Sequence, residues 1–297
     1  MSHRFLVIPR MRIQHANAMQ AWWLMAPPSP MTLYGFSRAM GLQCKFQSSS
    51  LAMTLHSVQW LGAEKSNARF VKKHEDEQDN KDWVRFWHSK FLPQQQQGAT
   101  FIDKQDHSGS GFAKSLQPTA RCHVEMSVVI DIGDDGVHLD DVGDFLWSCR
   151  LGGGALVDHG AVKICRSQEE IAQKIGGGFW VADRSERVTD VMENSGVDGT
   201  EALIQVLATN AKPVYQNSAK QEESTNKPES WLSANVVGYA ALESPTERSG
   251  VRNGAPHAYA EPLVGLVQYL SVRKSERTPF WQYHAIPEKG VYLMKGN

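Results

Sequence analysis

The sequence predicts an α+β protein built on a ferredoxin-like, RRM-type four-stranded sheet, with an inserted arm and a C-terminal α/β extension. Three observations predict it. The front half runs strand, helix, strand, insertion, strand, helix, strand, which is the order of a split βαβ unit. The segment CHVEMSVVIDI, 122–132, alternates Val124, Met126, Val128, Ile130 and Ile132 onto one face. The chain has 297 residues, 41% of them hydrophobic and 21% charged, enough apolar material to bury a sizeable core and too much for a disordered chain.

The elements follow in order. Residues 4–13 read as a strand, with Phe5 to Ile8 as its apolar run. Pro27, Pro28 and Pro30 surround Ser29 in a rigid turn, where Ser29 is placed to cap a helix and Pro30 to occupy its first position. Leu33, Phe36 and Met40 then recur at helical spacing, and Gly41 is the expected end of that helix. Residues 51–61 return to a strand pattern. Residues 64–121 change character: charges crowd around Trp83, Phe86, Trp87 and Phe91, and QQQQ and DHSGSGF are loop signals. This region reads as an arm inserted between the second and third strands, with Trp83 and Trp87 packing it.

After the third strand and an Asp-rich turn, Val142, Phe145, Leu146 and Cys149 mark an amphipathic helix. The runs LGGGALV and IGGGFWVADR each lead from glycines into a strand. Helices are expected at about 167–175 and 199–209, and a last one from near Pro262, with Leu263, Leu266, Val267 and Leu270 on one side. The predicted organisation is a core of 1–63 and 122–210, an arm of 64–121, a polar linker of 211–230 and a segment of 231–297 packing on the core. There is no internal repeat.

Charge is distributed unevenly. The chain has a net charge of −1, which excludes a freestanding basic nucleic-acid binder. Yet the first 63 residues hold Arg4, Arg10, Arg12, Arg38 and Lys45 and no acid, while 131–144 hold six Asp and no base. Such polarity suits a polyanion on one side and a basic partner on the other. No apolar run reaches the ~18 residues of a membrane span. Pro9 and Arg10 interrupt the only signal-peptide candidate, so a cytoplasmic location is expected. The four cysteines, Cys44, Cys122, Cys149 and Cys165, are widely spaced and read as free thiols, with no metal site.

Catalytic and cofactor motifs are missing. Neither glycine triplet supplies a phosphate loop or a dinucleotide fingerprint. DIGDDG begins like a calcium loop, but Val142 stands where the bidentate Glu is required. No triad signature appears. His15, His56, His123 and His284 are each able to act as a general base, which leaves an RNA-processing endonuclease as an alternative. No cofactor is expected.

The segment FLVIPRMRIQHANAMQ, 5–20, carries the main candidate site. Arg10 and Arg12 suit phosphates. Gln14 and Asn17 carry amides that donate and accept, as base edges and a 2′-OH require, and His15 can stack or hydrogen-bond. Asn17 and Gln14 can equally tie down the turn after the first strand. Tyr34 is a candidate stacking platform. Arg121 and His123 flank the start of the third strand on the same sheet. Arg252 and Asn253 form a second pair in a Gly- and Pro-rich loop, with Arg248 and Lys114 as weaker candidates.

Beyond composition, RFLVIPRMRIQHANAMQ followed by PPSPMTLYGFSRAM resembles the N-terminus of the type I-F CRISPR-associated Csy-two family, a Cas-five-type member of the RAMP proteins. ARCHVEMSVVIDIGDDG, CRLGGGALV, VGYAALESP with VRNGAP, EPLVGLVQYLS and WQYHAIPEKGVYLM are similar to later family segments in the same order. The resemblance implies a non-catalytic subunit of the Csy surveillance complex, in which it caps the 5′ handle of the CRISPR RNA. It implies the large subunit and the backbone subunits as partners, and target DNA through the complex. It also makes 64–121 a thumb-like arm. There the chain departs from the family, with FIDKQDHSGSGFAKS standing where a T-K-N-P-like or R-N-P-like stretch is usual. A purely structural assembly subunit is the other alternative.

Overall fold

The structure is a computed structural model that describes residues 4–21, 24–61, 120–210, 231–250 and 254–297. The expected arm, apart from Ala120 and Arg121, and the expected linker lie outside the described residues, as do Lys114, Arg252 and Asn253.

The fold is α+β, with five α-helices and one large antiparallel sheet among the described residues. β1 (Arg4–Asn17) leads through a small hairpin, β2 (Met19–Ala21) and β3 (Leu24–Met25), into α1 (Pro30–Cys44). Then come β4 (Ser50–Leu61), β5 (Arg121–Gly133), α2 (Leu139–Ser148), β6 (Arg150–Leu151), β7 (Gly154–Asp158) and β8 (Lys163–Cys165). α3 (Gln168–Ile175), β9 (Phe179–Asp183), α4 (Ser185–Ser195) and α5 (Gly199–Asn210) follow. β10 (Leu232–Ala241), β11 (Ala260–Ser271), β12 (Trp281–Ile286) and β13 (Val291–Gly296) complete the order.

The sheet has eleven strands where four were expected. Its order is β12-β13-β10-β11-β9-β4-β5-β1-β7-β6, with β8 also paired to β1. A further pairing, Trp281 with Leu51, joins β12 to β4 and closes the run from β4 to β12 on itself. Trp281 is fully buried, and its Nε1–H donates to Val181 O of β9 at 2.7 Å, fixing the seam.

The helix expected from Pro262 is the strand β11. Its 263, 266, 267, 270 spacing is shared by a helix face and by a strand buried on both sides. Val267 packs into the core beneath α1 and α2, whereas Leu270 packs against the core on the opposite face. β10 and β9 hydrogen-bond to its two edges, so the extension is built from strands and contains no α-helix among its described residues. α1 also differs from expectation, running past Gly41 to Cys44. Gly41 serves a close approach instead: a Cβ there would lie 2.6 Å from Phe46 O. Ser29 caps α1 as expected, accepting from Thr32 N at 3.2 Å.

Two apolar cores sandwich part of the sheet. α1 and α2 cover one face through Leu33, Phe36, Met40, Val142, Phe145 and Leu146, which meet Ile8, Met11, Ile13 and Met126. On the other face α3, with Ile171 and Ile175, packs with Trp180 and Phe280 over Phe5, Val7 and Val129. Each fully buried side chain of this size contributes about 1.5–3 kcal/mol. This second layer is short, and β1 records where it ends. Phe5 to Pro9 are all buried, because both faces are covered there. Beyond Pro9, Met11, Ile13 and Ala16 remain buried while Arg10, Arg12, Gln14, His15 and Asn17 are exposed. Among the described residues, nothing covers the second face of that half-sheet.

Candidate nucleic-acid interface

The open half-sheet is assembled from the ends of β1, β5 and β4. Register places Arg12 opposite Glu125, which faces Ser57 on the far side. His123 lies opposite Gln59, and Arg121 lies between Asn17 and Leu61. Arg121, His123 and Glu125 are half-buried, and Ser57 and Gln59 are exposed. The face is polar because its residues alternate with the core positions Cys122, Val124 and Met126.

Two bulges shape β1. Register shifts occur between Ile8 and Met11 and between Ile13 and Ala16. Inside them Arg10 and His15 adopt left-handed backbone, with φ of 54° and 57°. For residues with a Cβ that conformation costs roughly 1–2 kcal/mol each. Bulges re-aim side chains, and here both turn polar groups to the open face. At the second bulge the His15 N–H donates to His123 Nδ1 at 3.2 Å. The two imidazoles meet edge to face at 4.9 Å, and Arg121 donates to His15 O at 3.0 Å. His123 Nδ1 thus carries a lone pair rather than a proton.

The glycine turn lies against this cluster. Gly152 and Gly153, with φ of 57° and 74°, form the two-residue link between β6 and β7, the conformation of a type I′ hairpin turn. Gly152 O accepts from Asn17 N at 2.7 Å. A Cβ on Gly153 would lie 3.7 Å from Arg121 Nη1. Arg150, which the sequence reading did not single out, reaches back to Gly153 O at 3.2 Å.

The arginines do have acidic partners, supplied by the adjacent strands. Arg10 Nη1 meets Glu125 Oε1 at 2.9 Å, and Arg12 Nη1 meets Asp158 Oδ2 at 3.2 Å. Both pairs are solvent-exposed, so each is worth only about 0–1 kcal/mol. A phosphate offering charge-assisted, bidentate contacts can replace either carboxylate. Asn17 spends its side-chain amide on the turn, donating to Met19 O at 3.0 Å and accepting from Met19 N at 3.2 Å. Gln14 is exposed on the edge facing Ala155 of β7.

Other candidates lie elsewhere. Tyr34 sits on α1, on the helical side of the sheet, and its ring stacks on Tyr283 at 4.3 Å and 6°. That face of Tyr34 is already occupied. Burial, with Tyr34 and Tyr292 nearby, raises the pKa of Tyr283. Arg248 makes its contacts within the β10–β11 connection, pairing with Glu243 and lying 4.8 Å over the Tyr259 ring. Among the described residues no group of three His, Cys, Asp or Glu side chains is placed to hold a metal. All four cysteines are free, and burial raises the Cys122 thiol to about 11.

Fold and site together define an α+β protein with one large antiparallel sheet, half of one face polar and uncovered by the other described elements. A family model described as CRISPR-associated protein (Cas_Csy2) matches residues 6–294. The chain belongs to this type I-F CRISPR family. It is 22% identical over 338 aligned positions to CRISPR-associated protein Csy2 of Pseudomonas aeruginosa (strain UCBPP-PA14), an alignment covering 97% of this chain and 93% of that protein. Family membership implies a role in a type I-F CRISPR complex. No helix among the described residues is long and apolar enough to cross a membrane.

Proposed function

We propose that the open half-sheet receives the 5′ handle of the CRISPR RNA within the type I-F surveillance complex. The observation that carries this reading is the grouping of Arg10, Arg12, Gln14, His15, Arg121 and His123 on a face that no other described element covers. Guanidinium groups suit phosphates, and exposed amide and imidazole groups suit bases and 2′-OH groups. In this reading β4-β5-β1-β7, joined through α1 and α2, is the ferredoxin-like unit, and 64–121 is its thumb. The remaining strands extend the unit and, with the helical layer, serve contacts to the large and backbone subunits, through which the chain reaches target DNA. The protein works in the cytoplasm and binds its guide without cutting it.

The near-neutral net charge fits a subunit whose arginines exchange carboxylates for phosphates only when RNA is seated. The test is purification of the tagged chain with its complex and sequencing of the bound RNA. Short RNAs sharing one 5′ sequence are expected. The double variant Arg12→Ala/Arg121→Ala should lower RNA recovery at least about tenfold, since each lost charged contact costs about 1.5–3 kcal/mol. Unchanged recovery would leave a purely structural assembly subunit.

The edge-to-face imidazole pair beside Arg121 favours a second reading, an RNA-processing endonuclease of the RAMP group. It requires purified protein to cleave repeat RNA and His15→Ala to abolish the cleavage. Intact RNA removes it.

A further inference from the structure

The first bulge of β1 is tied from beneath the open face. Pro9 has no N–H, so the β1–β5 ladder is interrupted beside it. Its carbonyl accepts from Gly160 N at 2.8 Å. Arg10, which has no partner in the strand register, donates its N–H to Ser127 Oγ at 2.9 Å. Ser127 is fully buried, and its Oγ is hydrogen-bonded to His56 Nε2 at 2.6 Å. His56 stands at the bulge of β4, between Leu55 and Ser57. Two bulges on flanking strands thus meet at one serine on the strand between them.

Stability alone does not explain a histidine at this position. Its Nδ1 is buried, with the Gly177 backbone as its weak polar neighbour, and burying an imidazole nitrogen so poorly paired is unfavourable. Gly178 packs against the ring, since a Cβ there would lie 2.6 Å from His56 Nδ1 and 2.8 Å from Leu55 O. An apolar side chain would fill the space at less cost, but it would leave Ser127 without its second partner. Burial, reinforced by the nearby Arg10 charge, keeps the imidazole neutral.

We infer that Ser127 and His56 are positioning residues for the guide RNA, holding the Arg10 bulge so that its guanidinium is presented to the open face. The inference rests on the RNA-binding reading above. It also separates Arg10 from Arg12, whose backbone is paired in the ladder with Glu125 and Asp158.

A double-mutant cycle tests it, using the full chain and a synthetic RNA of the CRISPR repeat sequence. Arg10→Ala and Ser127→Ala are each expected to weaken binding about tenfold, by loss of one charge-assisted contact. The double variant should bind no more weakly than Arg10→Ala alone, because both changes remove the same contact. Ser127→Thr, which keeps the hydroxyl, should bind like the parent. Multiplicative effects, or full affinity in Ser127→Ala, overturn the inference. Where Ser127→Ala fails to fold, His56→Gln takes its place in the cycle with the same two outcomes. Failure of the RNA-binding reading is distinct: Arg10→Ala, Arg12→Ala and Arg121→Ala would then all leave the affinity unchanged.

Discussion

His56 shows how one buried side chain links pH to the candidate interface. Its pKa is lowered to about 4, chiefly by burial and secondly by the Arg10 charge. In the unfolded chain a histidine titrates near 6.5. Between those values the unfolded state binds a proton that the folded state does not. Stability therefore falls as pH drops from about 6.5 to about 4, by roughly 1.4 kcal/mol per pH unit from this residue, and levels below. Thermal unfolding across that window should show this slope, and His56→Gln should remove it. Single residues were otherwise partly legible. The polar positions of 10–17 stand out because they interrupt an apolar strand. The left-handed backbone of Arg10 and His15 does not, because neither is Gly or Asn. Glu125 and Asp158 are invisible as partners, since more than a hundred residues separate them from the arginines they meet.

Elements were legible where their periodicity is strong. β5 alternates cleanly, and α1 and α2 bury clear stripes, so all three were readable in the sequence. α4 was missed because it buries no residue and so leaves no apolar face. β11 was misread because burial on both sides imitates a helical stripe. The glycines of the β6–β7 turn are an element-scale device with a testable limit. A Cβ on Gly154 would lie 2.6 Å from Gln14 O and 2.7 Å from Ala16 N, both backbone atoms. Gly154→Ala is expected to destabilise the protein by about 1–3 kcal/mol, the usual cost of overpacking, through loss of the β1–β7 seam. Differential scanning calorimetry, with hydrogen exchange at Ile13 and Leu156, reads both effects.

The whole molecule was the least legible scale. The expected four-stranded sheet is joined by strands from the end of the chain, and nothing local announces that β12 pairs with both β13 and β4. Trp281 is the residue on which this depends, being buried, bonded to Val181 and paired with Leu51. Trp281→Ala should cost about 3–5 kcal/mol, and denaturant unfolding should lose cooperativity as well as midpoint. Trp281→Phe, which keeps most of the volume, should lose less.

The same pairing sets a timetable for the newborn chain. Leu51 and Trp281 are 230 positions apart. At synthesis rates of about 5–20 residues per second, roughly 10 to 50 s pass between their appearances. Throughout that interval the part of the β4 edge beside Leu51 has no strand to cover it. A ribosome stalled before Trp281 would present an open strand edge to its neighbours, which favours aggregation.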